Sequence, residues 1–401
     1  MSLFSPVEMA PRDPILGLNE AFNADPREEK VNLGVGIYYD DNGKVPLMRA
    51  VRAAEEARVA EHAPRTYLPI EGLAPYDLAV QKLLLGADSP LLGSGRVITV
   101  QSIGGTGALK LGADFLQRLA AKGLVAISDP SWENHRSLFE AAGYEVVTYP
   151  YYDAATNGLN FEGMLEGIAA LPSGTVVLLH ACCHNPTGVD LQAADWHRVI
   201  EVIRERGHVP FLDIAYQGFG DNLEDDALAV RLFAESGLPC LIASSFSKSF
   251  SLYGERVGAL TLITGNAEEG ERVLSQVKRV IRTNYSNPPT HGAKVVAAVL
   301  TNPELYAMWE QELAEMRTRI KQMRQALSQK LQAAGVKQDV SFIQQQRGMF
   351  SYSGLTRQQV EHLAQESAIY AVGSGRICVA ALNDKNIDAV ATAMAKAMLE
   401  S

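Results

Sequence analysis

The chain has 401 residues, 47% of them hydrophobic, which suffices to bury a large core and exceeds what one domain usually needs. Acidic residues (46) outnumber basic ones (36), and the formal charge of -10 opposes nucleic acid or an anionic membrane as the main partner. Any anionic substrate must therefore meet a local cluster of basic groups.

The N-terminal run Met1 to Glu8 carries a proline and an acid where a secretion signal needs a basic start and an apolar stretch. From about Val97 to Gly265 short apolar runs alternate with amphipathic stretches, the pattern of a mainly parallel sheet flanked by helices. Strands are predicted to open at Val97, Leu124, Glu145, Val176, Val209, Cys240 and Val257, and helices at Gly105, His135, Leu191 and Ala227. The longest apolar stretch, Thr175 to Cys183, is too short to cross a bilayer as a helix. Four cysteines, two of them adjacent at Cys182 and Cys183, make no disulfide framework and fit a reducing cytosol, so a cytoplasmic protein is expected. Glu304 to Ala334 reads as one long helix that leaves the sheet. The remainder is expected to form a smaller α+β unit, with strands around Phe342 to Tyr352 and Ile377 to Ala380 and a last helix from Asn386.

Lys248 carries the strongest chemical signal. It stands alone among hydroxyls in the run Ser244 to Arg256, after the apolar Leu241-Ile242-Ala243. Removing a lysine from water and placing positive charge near it lower its pKa, which frees a neutral amine to attack a carbonyl. An aldehyde cofactor with a phosphate suits that amine, with Ser245, Ser247 and the Arg256 guanidinium as the phosphate cradle. Read alone, the same run is a solvated serine-rich loop.

Ligands of an open α/β sheet bind beyond the carboxyl ends of its strands, so polar residues there are candidates for a site. Gly105 and Thr106 open a helix whose N–H groups can face a phosphate. Trp132 offers a flat face to a heteroaromatic ring. Asp213 can hold a pyridine nitrogen protonated, while Asn185 and Tyr216 supply donors to a ring oxygen. Singly, each has a plainer role: Trp132 and Tyr216 as core aromatics, Asp213 as a cap. Their joint occurrence at successive strand ends is what points to a site. Two competing motifs are weaker. Gly104 to Lys110 resembles a dinucleotide fingerprint but places Lys110 where a third small residue is required. His180 to His184 suggests a metal site, yet strand alternation sends Cys183 to the opposite face.

These residues resemble the aspartate/aromatic aminotransferase family of fold type I pyridoxal-phosphate enzymes, over nearly the whole chain. The resemblance rests on Ser245-Phe-Ser-Lys248 with Arg256, His184-Asn-Pro-Thr-Gly188, Asp213-Ile-Ala-Tyr216, Gly105-Thr-Gly107 and Ser374-Gly-Arg376. It implies a large cofactor-binding domain over residues 46–312 and a small domain from both chain ends, 1–45 and 313–401. It implies that Lys248 bonds the cofactor aldehyde and then moves a proton, that Asp213 pairs with the ring nitrogen, and that His135 supports Asp213. Tyr216 and Asn185 would take the phenolic oxygen and Trp132 the ring face. Gly105, Thr106, Ser245, Ser247 and Arg256 would hold the phosphate, with Tyr67 reaching in from a second subunit. Arg376 would bind the α-carboxylate, Arg282 a side-chain carboxylate across a dimer interface, and Gly36 would close over the substrate with Ile15 and Leu16 at the entrance.

Ile37, Tyr39, Val45, Thr66 and Tyr67 to Gly72 resemble the aromatic branch of that family. The expected reaction is transfer of the amino group of tyrosine, phenylalanine or tryptophan, and of aspartate through Arg282, to 2-oxoglutarate by a homodimer with shared sites. Aspartate as main donor is the alternative, followed by a pyridoxal-phosphate lyase or decarboxylase and a non-catalytic cofactor-binding protein.

Overall fold

A computed structural model describes residues 2–11, 13, 15–119 and 123–400, apart from the Leu16 side chain. Its large sheet has seven strands: β1 (Val97–Ile103), β2 (Leu124–Asp129), β3 (Glu145–Pro150), β4 (Val176–His180), β5 (Val209–Ile214), β6 (Cys240–Ser245) and β7 (Val257–Ile263). The spatial order is β1-β7-β6-β5-β4-β2-β3. All neighbours run parallel except β7, which is antiparallel to both β1 and β6. The fold is thus the expected α/β arrangement with a mainly parallel sheet, and each of the seven strands opens where its apolar run begins.

Those runs are continuous rather than alternating because both faces of the sheet are covered. Along β4, Val177 and Leu179 join one hydrophobic cluster while Val176 and Leu178 join the other, so the two-residue period assigns successive side chains to opposite layers. The helix Gly104–Gln117 covers one face and packs on β7, β6 and β1. Local caps fix helix starts more finely than periodicity does. Gln192 and Asp195 form a capping box that sets the helix Ala193–Arg206 two residues after Leu191, and Gly207, at φ 64°, ends it. No helix among the described residues is long and apolar enough to cross a membrane.

The two chain ends meet. Val31–Asn32 pairs in parallel with Ile369–Tyr370, and the buried side of helix Ile387–Leu399 packs on the long helix Pro303–Ala333. The expected strand from Phe342 is corrected: Phe342–Gln345 is a helical turn, and only Phe350–Tyr352 is extended, pairing with Arg376–Cys378. Arg324 supplies the reason. Its buried guanidinium donates to the carbonyls of Ile343, Gly348 and Phe350, and this curls the chain around one cation. The expected strand through Ala380 likewise stops at Cys378, because Val379–Ala381 closes a 3-10 turn.

The long helix is also tied to the segment that holds Lys248. Trp309, fully buried, stacks on Phe250 at 4.6 Å and donates its indole N–H to the Ser249 carbonyl at 2.7 Å. Trp309→Ala removes both the ring and the donor, and is expected to cost about 3–5 kcal/mol of unfolding free energy in a denaturant titration.

Candidate active site

The antiparallel β7 brings the far parts of the site to one edge. Its first residue, Val257, pairs with Ile103 at the end of β1, and Gly258 pairs with Ser245 at the end of β6. Arg256, which precedes a strand, therefore joins Gly104, Asp213 and Ser245, which lie at strand ends. Beyond this edge lies a cavity of about 400 Å³.

Twelve of the sequence-predicted residues line it together. Gly105, Thr106, Ser245, Ser247 and Arg256 form one end, Trp132, Asp213, Tyr216 and Lys248 the middle, and Gly36, Asn185 and Arg376 the other end. Ile15 and Ile37 also line it, whereas Tyr39 packs against the core and Val45 is exposed. Leu16's side chain lies outside the described residues. Tyr67 and Arg282 are elsewhere: Tyr67 is 92% exposed and shares a separate surface cavity with Thr66, Arg282 and Asn287.

At the first end, Gly104 has φ +67°, and a Cβ there would lie 2.5 Å from Nη2 of Arg256. Only glycine meets both conditions without strain. Arg256 itself sits at φ +57° and is held by its Nη1, which donates to Ser247 Oγ at 3.2 Å and to the Tyr253 carbonyl at 3.0 Å.

In the middle, the Lys248 amine lies 5.1 Å over the Tyr216 ring. Burial pushes it down to about 8, with Arg256 and Arg376 adding to the effect and Asp213 opposing it. Burial would raise the Asp213 carboxyl, but the hydrogen bond from His135 and the positive charge of its surroundings outweigh that and hold it below the usual range. Nε2 of His135 lies 2.9 Å from Asp213 Oδ2, and Nδ1 lies 2.9 Å from Ser131 Oγ. An ionised carboxylate only accepts, so Nε2 carries the proton. Burial pushes the Tyr216 phenol up, so it stays a donor.

At the other end, Arg376 is buried, donates through Nη1 to Asn185 Oδ1 at 3.1 Å and through Nη2 to the Gly34 carbonyl at 2.6 Å, and lies 4.4 Å over the Phe350 ring. Gly36 is required beside it, since a Cβ would come within 2.6 Å of Phe350 Cζ.

The lining also holds His180, Cys182, Tyr253 and Phe350, which the sequence reading did not assign to the site. The sequence offers His180 only as a candidate metal ligand. It lies beside His135 and His184, has no hydrogen-bond partner at either ring nitrogen, and is pushed down to about 3 by burial and by His135. The ring nitrogens of His184 are both engaged, by Ser128 and Thr187, so His180 and His184 do not form a metal pincer. Tyr253 had one local signal, its place five residues after Lys248. Phe350 had none.

The family profile of aminotransferase class I and II matches residues 28–394. The chain belongs to that family. It is 66% identical over 398 residues to an aspartate aminotransferase of Pseudomonas aeruginosa, covering 99% of this chain and 100% of that one. It is 51% identical to the aromatic-amino-acid aminotransferase of Escherichia coli, over 99% of this chain and 100% of that one. Among solved structures, an aromatic-amino-acid aminotransferase from Burkholderia pseudomallei covalently bound to pyridoxal phosphate is 66% identical, with a TM-score of 0.97, over 99% of this chain and 100% of that one.

The cavity of this aminotransferase suits that cofactor. Its lining carries three cationic side chains, Lys248, Arg256 and Arg376, against one acid, Asp213, and the glycine-floored end at Gly104 and Gly105 offers hydroxyls, backbone N–H groups and a guanidinium with no carboxylate among them. Such a donor set fits a phosphate. Gly104→Ala is expected to weaken binding of pyridoxal phosphate to the apoprotein at least tenfold, read by absorbance titration, because the new methyl displaces Arg256 and adds about 1 kcal/mol of backbone strain.

Proposed function

We propose that this aminotransferase transfers the amino group of tyrosine, phenylalanine and tryptophan, and of aspartate, to 2-oxoglutarate in two half-reactions of the ping-pong type, forming glutamate. The observation that carries the reading is one cavity holding a buried amine, a histidine-backed carboxylate and a buried guanidinium: Lys248, Asp213 with His135, and Arg376. Pyridoxal phosphate, when bound, supplies an aldehyde that condenses with amines and a ring that draws electrons from the substrate α-carbon.

The protein's own groups do the rest. Gly105, Thr106, Ser245, Ser247 and Arg256 bind the phosphate. Asp213, kept anionic by His135, holds a proton on the ring nitrogen. Tyr216 and Asn185 direct their donors to the phenolic oxygen, and Trp132 excludes water from one face. Arg376 takes the α-carboxylate through paired N–H groups and so fixes which α-carbon bond faces the ring. Lys248, with its amine near 8, is neutral often enough at neutral pH to take the α-proton and return it.

Substrate choice follows from the rim. Ile15, Val35, Ile37 and Leu109 line the cavity, and their apolar surface accepts a phenyl ring at little desolvation cost. The aspartate reading is favoured by Arg282, an exposed cation that shares a surface cavity with Tyr67. Both residues serve the proposal as contributions to a second copy's site, in a homodimer. Residues 46–312 are proposed as the cofactor-binding domain, and 1–45 with 313–401 as the domain that closes over the substrate. A cytoplasmic location is part of the proposal, supported by the four cysteines, all free.

Borohydride reduction of the loaded enzyme should attach the cofactor to the peptide containing Lys248, and Lys248→Ala should lower kcat for tyrosine with 2-oxoglutarate by about 10⁴-fold or more. A tag on another lysine sinks the mechanism. Comparing kcat/KM for tyrosine and aspartate decides the preference, and a large excess for aspartate overturns the aromatic reading. Mixing Lys248→Ala chains with Arg282→Ala chains should restore aspartate turnover, because hybrid dimers regain one site with both residues intact.

The Lys248 amine also sets a pH trend in the apoprotein. Its folded value near 8 lies below the unfolded value near 10.5, so the unfolded chain binds more protons between them and stability rises as pH goes from 8 to 10.5. In thermal melts, Lys248→Met apoprotein should lose this rise and be more stable than the parent at pH 7.

A further inference from the structure

Two unsatisfied atoms belong to one ion pair beside the substrate end of the cavity. Nε of Arg376 has no hydrogen-bond partner although the side chain is buried, and Oε2 of Glu133 is buried and equally without one. Glu133 Oε2 lies 4.0 Å from Arg376 Nη1, which is within ionic reach and beyond hydrogen-bond length. Glu133 is the first residue of helix Glu133–Ala141, directly after Trp132, while Arg376 comes from the strand Arg376–Cys378 near the other end of the chain.

An acid in the first turn of a helix suits the helix dipole, and that alone would explain a carboxylate directed to solvent. Glu133 is not so directed: its side chain is 32% exposed, with one oxygen enclosed on the side of the guanidinium. The carbonyl of Gly34 and the amide oxygen of Asn185 bond Arg376 but bring no net charge. Glu133 is the carboxylate that forms an ion pair with Arg376 among the described residues.

We propose that Glu133 is the resting counter-ion of Arg376, a positioning residue that sets how tightly the site holds the carboxylate common to all its substrates and products. This rests on Arg376 being the α-carboxylate binder. A buried guanidinium without any counter-charge is costly, so Glu133 steadies the empty site. A substrate carboxylate that engages Arg376 must then share one cation with an anion already 4.0 Å away, and the repulsion weakens its binding. The gain is release: when the 2-oxo acid departs, the guanidinium falls back on a partner that never left. Because the carboxylate is the part of every substrate that meets Arg376, Glu133 should shift affinity for aromatic and acidic ligands by the same factor.

Glu133→Gln tests this, since it keeps the shape and removes the charge. Calorimetric titration of the cofactor-loaded enzyme with two unreactive probes, succinate and 3-phenylpropanoate, should give dissociation constants about fivefold lower than in the parent for both, and KM for tyrosine and 2-oxoglutarate should fall together. Glu133→Ala should behave alike, which guards against an effect of the new amide. Unchanged affinities, or weaker ones, in both variants overturn the proposal and leave Glu133 a helix-end acid. Arg376→Lys separates the underlying reading: if that variant binds both probes as the parent does, Arg376 is not the carboxylate binder, whatever Glu133→Gln shows.

Discussion

Three cationic side chains gathered around one carboxylate, inside a protein whose formal charge is -10, is the constraint on which the rest of the site depends. Like charges held in one cavity repel, and each of these has its own relief. Arg256 bonds Ser247 and a carbonyl, and Arg376 bonds Asn185 and a carbonyl with Glu133 close by. Lys248 responds differently, by giving up its proton more readily. Burial of the amine is the main cause, and the two arginines add to it.

The anionic member needs support of the opposite kind. Asp213 stays ionised in a buried position because His135 donates to it and Ser131 fixes that imidazole in turn. Around this pair, His180 and His184 are held neutral by burial, so they add polarizable rings without adding charge. His184 also stacks on Tyr151 at 4.0 Å, which braces the turn that presents Asn185.

Much of this was legible in the sequence, for reasons that differ by residue. The central sheet strands announce themselves because both faces are covered, so β4 through β7 open on apolar runs and are buried along almost their whole length. The site residues were legible because an α/β sheet gathers ligands at strand ends, and Asp213, Asn185 and Lys248 follow apolar runs. What stayed hidden depended on distant partners. The chain after Phe342 looks extended but is curled by Arg324, eighteen residues earlier on another element. Phe350, under Arg376, and Tyr253, whose hydroxyl takes the N–H of Tyr38, gain their places only from long-range packing. Glu133 was hidden differently, as a residue whose ordinary role at a helix start is sufficient until its neighbour is known.

The long helix Pro303–Ala333 bears on both ends of the site at once. Trp309 near its start grips the carbonyl beside Lys248, and Arg324 further along grips the loop that carries Phe350 beneath Arg376. Fifteen residues separate these two grips, about 22 Å at the rise of an α-helix. The helix thus acts as a rigid spacer with a clamp at each grip. An insertion or deletion of one residue between the clamps would rotate one of them by about 100° relative to the other, so the length of this segment should be far less free to drift than its solvent-facing side chains.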